Sequence, residues 1–120
     1  MVVLITGANR GLGLEFARQY LQEGHTVFAG CRSDSADDQL RALSSNGGGG
    51  ELRIVSLDVV DSEQVEQVRE LIRTHSGQLD LLINNAGIFP ENDFASVTEE
   101  QLVESFRVNA VAPLLLVRTL

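Results

Sequence analysis

The amino-acid sequence predicts an α/β fold: a doubly wound parallel sheet with helices on both faces, ending inside the helix that follows its fourth strand. Three observations predict it. Short apolar runs alternate with stretches of helical periodicity along the whole chain. Each apolar run but one stops at a turn built from glycine, aspartate or asparagine. The 120 residues, 43% hydrophobic and 22% charged, suffice for one core, so residues 1–120 read as one domain, incomplete at its end. Parallel strands joined by right-handed crossovers follow from that order, and such sheets bind ligands at the carboxyl ends of their strands.

Val2 to Ile5 is a β-branched apolar run that ends at Thr6-Gly7, a buried strand stopped by a turn. From Gly11, the residues Leu12, Phe16, Ala17 and Tyr20 recur at helical spacing, and Gly24 closes the helix. Thr26 to Cys31 is the second strand, followed by a polar turn at Ser33 to Ser35 and a helix from Ala36 to Ser45. Asn46 to Gly50 then breaks the chain. That glycine run follows a helix and precedes a strand, the reverse of a phosphate cradle, and reads as a flexible loop. Leu52 to Leu57 is the third strand, ending at Asp58. Asp61 caps the next helix with Gln64 at the capping-box position, and Val65, Val68 and Ile72 share one face. Leu81 to Ile83 is the fourth strand, ended by Asn84-Asn85-Ala86-Gly87. Thr98 and Gln101 open a last helix that runs to Leu120 with no stop signal, so the chain reads as cut within it. Its Leu114 to Val117 stretch reads as a buried face, uncovered if the chain is a piece.

The formal charge of −8 argues against a nucleic-acid or anionic-membrane surface, which would require clustered positive charge. All basic residues are arginines; lysine is absent. Cys31 alone makes no internal disulfide and reads as a small hydrophobe in a reducing compartment. No basic segment precedes the first apolar run and no run reaches membrane-spanning length, so the expected location is cytoplasmic. His25 and His75 lack metal-ligand spacing to each other or to Cys31.

The turn Thr6-Gly7-Ala8-Asn9-Arg10-Gly11-Leu12-Gly13 joins the first strand to the first helix. Its glycines let the backbone approach a diphosphate that the helix N-terminus stabilises. Its spacing departs from G-x-G-x-x-G and resembles the T-G-x-x-x-G-x-G signature of the short-chain dehydrogenase/reductase family. Asp58-Val59 after strand three, Asn84-Asn85-Ala86-Gly87 after strand four and Asn109 in the following helix extend the resemblance in order. The stretch from Asn9 to Glu15, with Gly30-Cys31-Arg32, is similar in texture to the C-factor and carbonyl-reductase-like branches. The resemblance implies the nucleotide-binding front half of a Rossmann-type fold. It implies that Gly7, Asn9, Arg10, Gly11, Leu12 and Gly13 hold the dinucleotide, that Asp58 and Val59 contact adenine, and that Asn84, Asn85, Ala86 and Gly87 line the adenosine and brace the sheet. Asp58 also reads as a plain turn former.

A site preferring the unphosphorylated cofactor usually has a carboxylate at the end of strand two. Cys31 stands there instead. Arg32 follows it and Arg10 sits beside the second glycine, so two guanidinium groups could converge on a 2'-phosphate. NADP(H) is favoured, with NAD(H) as the alternative, since both arginines could simply be solvated.

Hydride transfer needs an acid or base for the substrate oxygen. The resemblance assigns this to a tyrosine with a lysine four residues later, aided by a serine and an asparagine. Tyr20 is followed four residues later by Gly24 and reads as packing; no serine lies in the family's catalytic segment. Asn109 alone matches, as the relay asparagine. Pro113 has no N–H to offer the Asn109 carbonyl, which could leave it free for a water, or Pro113 could merely kink the helix. The reading is an NAD(P)-dependent oxidoreductase acting on a carbonyl or alcohol, homo-oligomeric in its full-length form, of which this chain is a part. The alternatives are a non-catalytic dinucleotide-binding or protein-interaction module, and a methyltransferase, against which Asn84-Asn85-Ala86-Gly87 argues.

Overall fold

The computed structural model describes residues 1–32, 38–45 and 49–120. The turn expected at Ser33 to Ser35, the first residues of the helix expected from Ala36, and Asn46 to Gly48 lie outside the described residues. Four strands, β1 (Val2–Thr6), β2 (Thr26–Cys31), β3 (Glu51–Ser56) and β4 (Leu81–Ile83), form one sheet in the order β3-β2-β1-β4. All are parallel. Val2 pairs with Thr26 on β2, Val3 with Leu81 on β4, and Thr26 with Glu51 on β3. The chain steps outward from β1 to β3 and then returns past β1 to lay down β4, which puts the topological switch between β1 and β4.

Helices cover both faces. α1 (Gly11–Gln22) and α2 (Asp38–Ala42) pack on one, where Val3, Ile5, Val27, Ala29 and Cys31 meet Ala17, Leu21 and Leu40. α3 (Ser62–Ser76) and α5 (Ala112–Thr119) pack on the other, where Leu4, Phe28, Val55 and Leu57 meet Val65, Val68, Ile72 and Leu116. Alternate residues of β1 and β2 serve opposite layers, which is why these strands read as unbroken apolar runs. Tyr20 is half-buried against the first layer, the packing role expected of it.

Several elements differ in detail from expectation. The buried stripe of α1 is Gly13, Ala17 and Leu21, whereas Leu12 is 72% exposed, because the helix axis follows the close approach at Gly13. The second helix is a short α2 that tightens into a 3₁₀ turn at Leu43–Ser45. Asp61 caps α3 through the Glu63 and Gln64 N–H groups, but the Gln64 side chain does not close a reciprocal box. Its Oε1 accepts from the Asp58 N–H at 2.7 Å instead, tying the helix to the end of β3. Thr98 and Gln101 do form the full capping box of α4 (Glu99–Phe106).

The last helix is not continuous. Residues Arg107–Val111 form a π-helical turn between α4 and α5, in which the Ala112 N–H bonds the Arg107 carbonyl five residues back. Pro113 lies in the first turn of α5 and has no N–H for the Asn109 carbonyl, so the α-helical ladder is interrupted there. Leu114 to Val117 is not a buried face: Leu116 is 1% exposed and Leu114 70%, because one helix side alone meets the sheet.

Candidate functional site

A cleft of about 890 Å³ opens over the carboxyl ends of the strands. Its floor is the β1–α1 turn, with Gly7, Asn9, Arg10, Gly11 and Leu12. Cys31 and Arg32 at the end of β2 and Leu57, Asp58 and Val59 at the end of β3 form one wall. Asn85, Ala86, Gly87 and Ile88 after β4, with Glu104 and Val108 from the last helix, form the other. Eleven of the fourteen residues singled out from the sequence thus meet in one cavity; Gly13, Asn84 and Asn109 stand outside its lining.

Backbone geometry explains the floor. Gly7 has φ 63° and a Cβ there would stand 3.0 Å from the Ala86 Cα, so both conformation and space require glycine. Gly11 also has positive φ, at 54°, but no protein atom lies within 4 Å of where its Cβ would be. That space opens above the first turn of α1. Gly13 acts from below: a Cβ there would collide with the Gly7 carbonyl and the Asn85 amide nitrogen. Arg10 is the extended N-cap of α1 and supplies no side-chain cap, and no acidic residue lies in the first turn. The positive end of the helix therefore borders the cleft with no acidic side chain in its own first turn.

Thr6, absent from the sequence-based set, organises the junction. Its hydroxyl accepts the Asn85 N–H at 3.0 Å and the Ala86 N–H at 2.9 Å, and it is the one buried polar residue of the described core. Asn85 returns the contact, its amide donating to the Thr6 and Gly7 carbonyls at 3.0 Å each. Asn85 thus ties the loop after β4 to the end of β1. Asn84 does not: it is exposed, turned outward because its neighbour is turned in. The signal for Thr6 was present as the first letter of its glycine signature. Leu57, Ile88, Glu104 and Val108 were missed as cleft residues because only the packing of distant segments assembles them.

Asp58 forms a local turn and borders the cleft, its Oδ1 accepting the Val60 N–H at 3.2 Å. The Asn109 side chain grips Ile88, accepting its N–H at 2.8 Å and donating to its carbonyl at 2.7 Å. Its amide is thereby committed to the loop after β4, and the π turn is what brings it there.

The family profile of the short chain dehydrogenases matches residues 1–120. The chain is 36% identical to galactitol 2-dehydrogenase of Agrobacterium fabrum over 119 residues, 98% of this chain and 44% of that protein. It is 31% identical to epidermal retinol dehydrogenase 2 of Mus musculus over 113 residues, 94% of this chain and 37% of that protein. Among solved structures it is similar to L-sorbose reductase from Gluconobacter frateurii complexed with NADPH and L-sorbose, with TM-score 0.86, 29% identity and coverage of 99% and 45% of the two chains. An alcohol dehydrogenase from the archaeon Thermococcus sibiricus, complexed with 5-hydroxy-NADP, gives TM-score 0.85, 28% identity and coverage of 98% and 50%. The chain spans under half the length of these curated relatives. Sheet order, glycine turn, asparagine brace and family match agree over the whole 120 residues, and the chain belongs to the short-chain dehydrogenase family.

Proposed function

We propose that this chain is the dinucleotide-binding part of an oxidoreductase that moves a hydride between NADP(H) and a carbonyl or alcohol substrate. The observation that carries the reading is the cleft, where bare backbone at Gly7 and Gly11, the N-terminus of α1 with no side-chain cap, and Arg10 and Arg32 border one cavity. A diphosphate fits that chemistry, because backbone N–H groups and the helix dipole stabilise negative charge without a lysine. Asn9, Leu12 and Gly13 complete the cradle, Gly13 by letting α1 approach β1. Arg10 and Arg32 take the 2'-phosphate of NADP(H), and Cys31 stands at the last position of β2, where a carboxylate would accept ribose hydroxyls. Asp58 and Val59 take the adenine, and Asn85, Ala86 and Gly87 flank the adenosine. Asn84 is left without a direct role.

The cofactor, when bound, supplies the hydride. Asn109 holds Ile88 and so the wall beside Gly87, and its main-chain carbonyl is the atom assigned to a proton-relay water. No Tyr-x-x-x-Lys occurs among the 120 residues, so the group that gives the substrate oxygen its proton is assigned to a residue outside them. The NADP-containing structures to which the chain is similar support the cofactor choice.

Titration with NADPH and NADH tests the reading. Arg32→Ala is expected to weaken NADPH by roughly 1.5–3 kcal/mol and leave NADH nearly unchanged. Equal weakening of both nucleotides would reject the phosphate assignment, and no binding of either would reject the function.

A further inference from the structure

The Phe89 ring is 87% exposed, yet the main chain that carries it is held fast. Ile88, the residue before it, borders the cleft, and the Asn109 side chain bonds both of its main-chain polar groups, at 2.8 and 2.7 Å. Further along the same loop, Asn92 accepts the Gln101 amide at 2.9 Å, and Asp93 accepts the Ser96 N–H at 2.9 Å and its hydroxyl at 2.7 Å. A bare ring on a backbone pinned at either side is presented to whatever enters beside it, and covering it with an apolar group is favourable.

Sheet order says what enters there. With the diphosphate over β1 and the 2'-phosphate beside Arg32 at the end of β2, the adenosine half lies on the side of β2 and β3. An extended dinucleotide crosses the point where the strand order reverses, so its hydride-bearing half runs toward β4, the strand that leads into Ile88 and Phe89. The substrate meets that half near Asn109, whose carbonyl serves the proton relay in the reading above and whose side chain holds Ile88. The stretch Ile88-Phe89-Pro90 has little to offer a hydroxyl. Its side chains are all apolar, both main-chain groups of Ile88 are engaged by Asn109, and Pro90 has no N–H. A polyol laid against it would leave hydroxyls without partners, whereas an aromatic or long alkyl group would bury itself against the ring. We infer that Phe89, with Ile88, is a specificity-determining residue, and that it selects ketones and secondary alcohols bearing an aromatic or extended apolar group beside the reacting carbon; the inference rests on the dinucleotide reading above and names its substrate class.

The test uses the protein at its full length, as wild type, Phe89→Ala and Phe89→Leu. Acetophenone is the apolar probe and dihydroxyacetone the polar one. Ligand-observed NMR gives the dissociation constant of acetophenone in the presence of oxidised NADP, a pair that cannot exchange a hydride, and kcat/KM is measured for both ketones with NADPH. The wild type is expected to favour acetophenone by about tenfold or more, and Phe89→Ala to weaken acetophenone by about tenfold, the effect of uncovering part of one buried ring. Phe89→Leu should recover part of that loss, while NADPH affinity and the kcat/KM for dihydroxyacetone stay within about twofold of wild type in both variants. Equal binding of acetophenone by wild type and Phe89→Ala overturns the inference, as does a wild-type preference for dihydroxyacetone. A lower melting temperature of Phe89→Ala with unchanged selectivity assigns the ring to packing and overturns it too. Failure of the wild type to bind NADPH or NADH overturns the dinucleotide reading itself, and the substrate class with it.

Discussion

The Thr6 hydroxyl is nearly inaccessible to solvent and satisfies two main-chain donors on a segment 79 and 80 residues away in sequence. Removing it while keeping its shape leaves the Ala86 N–H without an acceptor, whereas the Asn85 N–H keeps the Ile83 carbonyl at 3.0 Å. Thr6→Val is expected to cost about 1–3 kcal/mol of stability, whereas Thr6→Ser keeps the acceptor and loses mainly a methyl group. Urea denaturation at constant slope separates the two outcomes. Gly13→Ala carries a different penalty, since its methyl would press on the Gly7 carbonyl and the Asn85 amide together. We expect a loss of about 1–3 kcal/mol from overpacking, accompanied by loss of nucleotide binding because the turn itself must shift. The glycines were legible in the sequence from their spacing, and Asn85 only through the family resemblance. Thr6 was visible but unread, because its importance lies in bonds across the sheet that no local pattern encodes.

Helix ends show how local chemistry and tertiary contact divide the work. Asp61 accepts two N–H groups of the first turn of α3 at 3.0 and 3.2 Å. Asp61→Ala should therefore cost about 1 kcal/mol, read as a lower midpoint in thermal or urea melts. Both caps were legible because capping depends on residues within four positions. Gln64 was misread because its best donor was the Asp58 N–H of a different element, at 2.7 Å. The π turn at Arg107–Val111 extends the same lesson. Its cause, Pro113, is written in the sequence, yet whether a helix answers a missing N–H by kinking or by widening depends on what holds its flank. Here the Asn109 amide is bonded to both polar groups of the Ile88 main chain, which stabilises the wider turn. Pro113→Ala restores a donor for the Asn109 carbonyl. It is expected to draw these residues toward regular α-helix and move Asn109 off Ile88, seen as faster hydrogen exchange at the Ile88 amide.

At the scale of the molecule, acid stability rests on carboxylates that tie the sheet's rim. Asp80 accepts the Val2 N–H at 2.7 Å, and that bond, then Gln78, holds its carboxyl below the ordinary 3.8. His75, with Arg53, holds Glu51 below the ordinary 4.5, linking α3 to the start of β3. A depressed pKa in the fold means that the unfolded chain takes up the proton first. The contribution of these groups is therefore complete above the ordinary values and lost as pH falls through the lowered ones. Melting temperature should stay level between about pH 7 and 5 and drop below about 4.5, and Asp80→Asn should make the acid drop shallower. The exposed apolar side chains on the last helices, Leu102, Phe106, Leu114 and Val117, belong to this scale too. Left in water they favour association, so the 120-residue polypeptide is expected to self-associate in light scattering, and a Leu114→Glu, Val117→Glu double variant to reduce it.

By itself the sequence determined the alternation of strand and helix, the parallel sheet and the glycine turn. Each depends on periodicity or on residues adjacent in the chain, where sterics and short-range hydrogen bonds act. Only the tertiary structure decided that Thr6 and Asn85 tie the end of β1 to the loop after β4, and that the last helix widens to bring Asn109 onto Ile88. Those contacts join segments that are far apart along the chain, and their partners are chosen by how the layers pack on the sheet.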